Sequence, residues 1–195
     1  MFRNYQMTEL EKFQADLYAR INIQHPWELE ILEIADRLNI WVYFTNQGSK
    51  ALELKEGLYS INIDKNLSPM QQRLDFFHEL CHVLRHAGDQ SVLPEMFTQA
   101  QEREAEQFVY YAALPFKMIS ELPISAWLDQ AVSFLASEFR VPAQMAKQRL
   151  DQLKRRTFFG NLLVSSAKKN QVPEKREWSK MTMQILNQLD YQLKH

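Results

Sequence analysis

The residue types that could do chemistry are concentrated between Phe76 and His86, where the sequence reads FFHELCHVLRH. This stretch holds three of the chain's five histidines. Residues four apart lie one turn apart on the same face of an α-helix, so the imidazoles of His78 and His82 can reach one ion. Glu79 lies about 100° round the helix from His78. A base there, beside the ion, could take a proton from a water molecule.

A metal at this position needs a third protein ligand. Zinc suits imidazole and carboxylate ligands, and its catalytic sites use three protein ligands and keep one position open. The elongated motif HExxHxxGxxH is excluded, because the chain has Arg85 where that motif has glycine and Gly88 where it has histidine. The remaining class takes a glutamate from a following helix.

Acidic residues open the next predicted helix, where the sequence reads QEREAE from position 101. Glu102 and Glu106 are four apart and share a face, so one could bind the metal while the other accepts a hydrogen bond from a ligand histidine. Glu104 lies about 200° round the helix from Glu102. Apolar residues pack beside the face of Glu102 and Glu106, which favours Glu102 over Glu104 as the ligand.

Other interpretations of these residues are open. His78 and His82 could be histidines of a buried core, although two buried imidazoles and a carboxylate need polar partners. His86 lies eight residues after His78 and about 80° away round the helix, so we expect it to interact with the dipole at the helix end. We expect Cys81 to be a small core residue rather than a ligand.

The elements that must position these residues are also indicated. Ser68 and Gln71 have the capping-box spacing and Pro69 suits the first helical position, which predicts a buried helix from Pro69 to about Arg85. Strands are predicted at 41–45, 51–54 and 58–64. Further helices are predicted at 7–23, 27–38, 100–114, 125–138, 142–154 and 174–194, with a loop at 87–99 and a hairpin or loop at 156–165.

Composition bounds the class of protein. The 195 residues include 46% hydrophobic and 24% charged residues, four glycines and one cysteine. Few glycines favour a mostly helical fold, and a single cysteine excludes an internal disulfide. We find no secretory signal and no run long enough to span a membrane, and expect a cytoplasmic protein. Acidic residues dominate positions 1–115 and basic residues positions 116–195, which indicates two parts.

The motifs resemble those of the ImmA/IrrE metallopeptidases. HELCH followed by EREAEQFVYYAALP is similar to that family's HELGH followed by E-x-E-A-N-x-F-A-x-x-L-L-M-P. The resemblance covers about 58–115 and implies that Glu102 is the third zinc ligand. Glu106 replaces the family's asparagine and could still accept a hydrogen bond from a ligand imidazole. Cys81 replaces a glycine.

The resemblance implies an α+β, mostly helical fold. Its core, 1–115, would be a thermolysin-like zincin with a small three-stranded sheet packed on the HExxH helix, and 116–195 would be a helical C-terminal region. The activity would be zinc-dependent endopeptidase, with Zn²⁺ on His78, His82 and Glu102, and with Glu79 passing a proton to the leaving amine. The substrate would be a specific protein, typically a helix-turn-helix transcriptional repressor in phage, mobile-element or stress regulation.

In thermolysin-like folds an edge strand beside the active helix pairs with an extended substrate peptide. Tyr59–Asp64 is a candidate for this role. The simpler interpretation is an ordinary strand of the sheet, and the two interpretations are compatible.

A function of another class is a non-catalytic zinc-containing regulatory module that binds DNA or a repressor through its basic C-terminal part. Residues 135–153 have the pattern of a helix-turn-helix, which any short two-helix hairpin also gives. A solvated basic helical surface explains the charge equally simply, and we favour it over DNA binding.

Overall fold

The computed structural model describes residues 2–55, 57–86, 94–125, 127–170 and 180–193, and the side chains of all of these except 168–170. This part of the chain is mostly helical with one three-stranded mixed sheet, as predicted. The strands are β1 (Trp41–Thr45), β2 (Lys50–Lys55) and β3 (Leu58–Asp64). The α-helices are α1 (Glu9–Arg20), α2 (Ile31–Arg37), α3 (Pro69–Arg85), α4 (Glu95–Ala113), α5 (Phe116–Glu121), α6 (Leu128–Glu138), α7 (Ala143–Asn170) and α8 (Lys180–Leu193).

The sheet has the strand order β1-β3-β2, with β1 parallel and β2 antiparallel to β3. The alternation in β3 buries Ile61 and Ile63 completely, and β2 and β3 both pack against α3. Tyr59–Asp64 is a strand of the sheet as predicted, but its suggested place at the edge is wrong, because this strand is hydrogen-bonded on both sides. The edge strand beside α3 is β2.

Helix α3 has the predicted bounds. The Ser68 hydroxyl accepts from the Gln71 amide, and the Gln71 side chain pairs with the Ser68 backbone. Both halves of the capping box are therefore present. Phe76, Phe77 and Leu80 have no exposed surface, so the helix is held between the sheet and α4 by apolar packing.

Several predicted elements differ from the structure. The predicted helix 27–38 is a 3₁₀ turn, Pro26–Glu28, followed by α2, because the Glu28 carboxylate accepts from the Gln24 and His25 amides and closes a separate turn. Helix α4 begins at Glu95, directly after Pro94, rather than at position 100. Residues 87–93 of the predicted loop lie outside the described residues.

The predicted hairpin or loop at 156–165 is also wrong, because α7 runs through it without interruption. Gly160 lies within this helix, at a point of close packing. A Cβ at this position would lie 1.9 Å from the backbone oxygen of Asn4. The N-terminal segment therefore crosses α7 where there is no side chain. Helix α5 was not predicted. The division of the chain at residue 115 stays a prediction.

A buried ionic cluster joins the N-terminal helix to α7. Glu11 is fully buried and accepts hydrogen bonds from the Tyr5 hydroxyl, from Arg149 and, at 3.0 Å, from Arg156. Arg149 is also fully buried, and its Nε donates to the carbonyl of Leu114 at the end of α4.

The helices of the described residues are all too short or too polar to span a bilayer.

Replacing Glu11 with glutamine should lower the free energy of unfolding by about 3–5 kcal/mol, because it leaves a buried arginine without its counter-charge. Urea denaturation followed by circular dichroism measures this. The matched control is Glu9→Gln, on the same helix, whose carboxylate is exposed and pairs only with Lys12 among the described residues. It should change stability by less than about 0.5 kcal/mol. Equal effects of the two substitutions would contradict a dominant role for the buried cluster.

Candidate metal centre

Helices α3 and α4 bring the three predicted ligands together. Nε2 of His78 lies 3.0 Å from Nε2 of His82 and 3.1 Å from Oε2 of Glu102. Nε2 of His82 lies 3.5 Å from Oε1 of Glu102. Among the described residues, these three form the one group of histidine, cysteine and acidic side chains that could hold a metal ion.

The spacing of the candidate ligand atoms fits a zinc ion. Ligand atoms about 2.0–2.1 Å from a tetrahedral zinc ion are roughly 3.3 Å from one another. The two imidazole nitrogens are 3.0 Å apart, and they lie 3.1 and 3.5 Å from the two oxygens of Glu102, which is close to that spacing. Two imidazoles and one carboxylate are also the donor set of a class of catalytic zinc sites. The residues present therefore fit the metal that the sequence predicts.

The protonation state of His82 also suits a ligand. Desolvation by burial lowers the pKa of His82 to about 4, so the imidazole is neutral near pH 7, and only neutral imidazole binds metals.

The candidate ligands differ in their exposure to solvent. Glu102 keeps 42% of its side chain exposed, against 10% for His82. A surface cavity of about 350 Å³ lies against Glu102 and is also lined by Glu95, Thr98, Gln99 and Arg103. The centre is thus open to solvent on the side of α4.

The candidate base is held by the edge strand. Oε2 of Glu79 accepts a hydrogen bond of 2.7 Å from the backbone amide of Ala51 in β2. Desolvation by burial raises the pKa of Glu79 above its ordinary value, and the Ala51 hydrogen bond opposes that rise. A carboxyl group with a raised pKa, fixed beside a metal site, is suited to accept and return a proton.

A second contact fixes β2 against the same helix. The Ser49 hydroxyl donates to Oδ2 of Asp75 at 2.5 Å and accepts from the amide of Asp64 in β3. Asp75 lies one turn before Glu79, and Ser49 lies two residues before Ala51 on the same side of the chain. The contacts of Asp75 and Glu79 therefore lie one turn apart along α3, and together they set the position of β2 relative to the base.

The ligand His82 has a network of polar groups behind it. Its Nδ1 lies 2.8 Å from Nδ1 of His86, and Nε2 of His86 lies 3.2 Å from Oε2 of Glu104. Arg85 donates to the other oxygen of Glu104 at 2.6 Å. Desolvation acts to raise the pKa of Glu104, but the hydrogen bonds from Arg85 and His86 outweigh it and hold the pKa below the ordinary value.

The other residues that the sequence singled out are not among the three candidate ligands. Glu106 is exposed, and no hydrogen bond joins it to either ligand histidine among the described residues. Cys81 is fully buried in the apolar core, and burial raises the pKa of its thiol to about 12. His86 does end α3 as predicted, but its ring faces His82 and Glu104 rather than solvent, with 5% of the side chain exposed.

Sequence reasoning missed the contacts that depend on a second element. Ala51 lies on a strand that carried only a weak signal, Ser49 lies directly before that strand, and the contact of Ala51 uses its backbone. Glu104 was set aside because it points away from Glu102 on its own helix. The sequence did contain one signal of these contacts. His86 lies four residues after His82, so the two histidines share a face of the helix.

Two known proteins are similar to this chain in sequence. The chain is 38% identical over 150 residues to the phage-like element PBSX protein XkdA of Bacillus subtilis, which covers 77% of this chain and 75% of that protein. It is 32% identical over 146 residues to the uncharacterized protein YqaB of Bacillus subtilis, covering 75% of this chain and 84% of that one.

Among solved structures, a Mycobacterium tuberculosis transcriptional regulator has a similar fold, with a TM-score of 0.52 at 17% identity. The match covers 74% of this chain and 46% of that one, so this chain spans less than half the length of the regulator. At this identity the likeness concerns the fold alone.

A model of the Peptidase_M78 family, described as the IrrE N-terminal-like domain, matches residues 35–151, a range that includes the HExxH helix and Glu102. This match and the two relatives confirm the resemblance to the ImmA/IrrE proteins. The chain belongs to the Peptidase_M78 (IrrE N-terminal-like) family.

Proposed function

We propose that the chain is a zinc-dependent endopeptidase with a thermolysin-like zincin core. The observation that carries the proposal is the cluster of His78, His82 and Glu102, whose ligand atoms have separations close to those of a zinc site and which lies beside the half-buried carboxylate of Glu79. Membership of a metallopeptidase family supports it.

The residues have separate roles in peptide hydrolysis. His78, His82 and Glu102 would hold the metal, which when bound polarises the scissile carbonyl and makes water more acidic. Glu79 takes a proton from the water that attacks the carbonyl carbon. It then returns that proton to the amide nitrogen as the C–N bond breaks, so the amine leaves neutral. The Ala51 amide keeps the Glu79 carboxylate oriented through both transfers.

The substrate peptide would lie along β2. The amide of Ala51 points to Glu79 and not to β3, and in an antiparallel strand the amide and carbonyl of a residue point to the same side. The free edge of β2 therefore faces the base. A peptide added there as a further strand would bring its backbone, rather than particular side chains, to the metal.

We propose a specific protein as the substrate, namely a helix-turn-helix repressor of a phage or mobile element. The support is the relative named as a phage-like element protein and membership of a family of metallopeptidases. The direct test is incubation of the zinc-loaded chain with a purified repressor encoded beside its gene, followed by mass spectrometry of the products.

A second candidate is a regulatory module that binds DNA through its C-terminal part. It is favoured by α6 and α7, which are joined by four residues as in a helix-turn-helix, with Lys147 and Arg155 exposed on α7. However, Arg149 and Arg156 of the same helix are committed to Glu11. DNA binding that falls steeply with salt, without any cleavage, would favour this candidate.

Replacing Glu79 with glutamine should lower kcat/KM for peptide cleavage by about 10²- to 10⁴-fold, because glutamine cannot accept the proton. Zinc content, measured by mass spectrometry of the purified protein, should stay at the wild-type level, since Glu79 is not among the ligands. An unchanged cleavage rate would refute the peptidase mechanism.

Replacing Glu102 with alanine should weaken zinc binding by at least about 100-fold, which is the upper end of the range for groups that only support a ligand. Competition with a chromogenic chelator measures the affinity. Glu106→Ala is the matched comparison, because Glu106 lies on the same helix and was the alternative carboxylate. Retention of zinc by Glu102→Ala together with loss by Glu106→Ala would reverse the assignment of the third ligand.

A further inference from the structure

The polar groups behind His82 form a continuous path from a carboxylate to the metal centre. The path runs from Glu104 to His86 and from His86 to His82, with separations of 3.2 and 2.8 Å. Its members come from two helices, since Glu104 belongs to α4 and His86 ends α3. The exposed fractions of the two histidine side chains are only 5% and 10%.

The direction of each hydrogen bond in this path follows from metal binding. A histidine that binds through Nε2 has no proton there, so neutral His82 carries its proton on Nδ1. Nδ1 of His86 lies 2.8 Å away and accepts that proton only if it carries none itself, which places the proton of neutral His86 on Nε2. Nε2 of His86 then donates to the carboxylate of Glu104. Each of the three groups thus has a partner of the required kind.

We propose that His86 and Glu104 are positioning residues for the metal ligand His82. This inference rests on the proposed zinc centre and deepens it. A ligand histidine is commonly oriented by a hydrogen bond from its other ring nitrogen, which fixes the tautomer and makes the ligand nitrogen more basic. In this chain a second imidazole transmits the effect of the carboxylate.

The surrounding contacts hold both positioning residues in place. The backbone amide of His86 donates to the carbonyl of His82 at 3.1 Å, so backbone and ring bond to the same residue. Arg85 pairs with the other oxygen of Glu104, which leaves Oε2 directed at His86. Only 5% of the His86 side chain is exposed, so bulk water does not compete with it for the hydrogen bond to His82.

Zinc affinity of the full-length chain, measured by chelator competition without any substrate, tests the proposal. His86→Leu removes the acceptor from His82 and should weaken zinc binding by about 10- to 100-fold, as should Glu104→Gln. His86→Gln can still accept from His82 and donate to Glu104, and should restore most of the affinity. If His86→Leu binds zinc as tightly as wild type, or if His86→Gln is as weak as His86→Leu, the proposal is overturned.

Two further variants separate the path from its surroundings. Arg85→Gln removes the other partner of Glu104 but leaves the bond to His86, and should change zinc affinity by less than about fivefold. Glu106→Gln tests the carboxylate that the sequence alone favoured as the hydrogen-bond acceptor of a ligand histidine. If either variant lowers affinity as much as Glu104→Gln, the role assigned to Glu104 is wrong.

The ring protons give a readout that packing alone would not produce. In the zinc-loaded chain, long-range ¹H–¹⁵N spectra should show His82 protonated at Nδ1 and His86 at Nε2. The opposite tautomer of His86 would overturn the proposal. Cleavage assays of Glu79→Gln judge the peptidase mechanism separately, since neither zinc affinity nor the tautomers depend on turnover. Failure of the wild-type chain to bind zinc would instead refute the metal centre itself.

Discussion

The residues of the candidate site lie in two rows along α3, because residues one turn apart share a face of a helix. One row, Asp75 and Glu79, faces β2 and is bonded to Ser49 and Ala51. The other row, formed by the three histidines, faces α4 and is bonded to Glu102 and Glu104. The base and the ligands are therefore positioned by different neighbours. The base and the candidate ligands belong to one site because α3 packs between the sheet and α4.

Helix α4 must in turn be fixed, since it supplies both carboxylates. The last carbonyls of a helix have no partner within it, and here two side chains from other helices supply partners. The Tyr18 hydroxyl donates to the carbonyl of Ala112, and Arg149 donates to that of Leu114. Because Arg149 is also bonded to Glu11, the buried ionic cluster ties the end of α4 to α1 and α7. Helix α7 thus stabilises the helix that bears the proposed third ligand.

How far sequence could predict this structure depends on how local each signal was. The bounds of α3 followed from Ser68, Pro69 and the apolar pattern, all within the helix. The triangle of ligands needed only helical spacing and one acidic helix to follow. By contrast, Gly160 is read correctly only when Asn4 is seen to lie against it. The central position of β3 likewise depends on pairing with both β1 and β2, which no single strand pattern specifies.

The two carboxylates of α4 show the same limit at the site itself. Considered on one helix, Glu104 points about 200° away from Glu102, so that helical geometry excludes a shared role. When α3 is also considered, Glu104 is seen to point to the C-terminal end of α3, where it pairs with the adjacent residues Arg85 and His86. Helical phase therefore predicts which residues can bind the same ion directly. It does not predict which residues support that ion through a neighbour, because support requires a donor and an acceptor rather than a common face. A third histidine at the same spacing was such a donor, and its ring faces the metal ligand and the carboxylate at once.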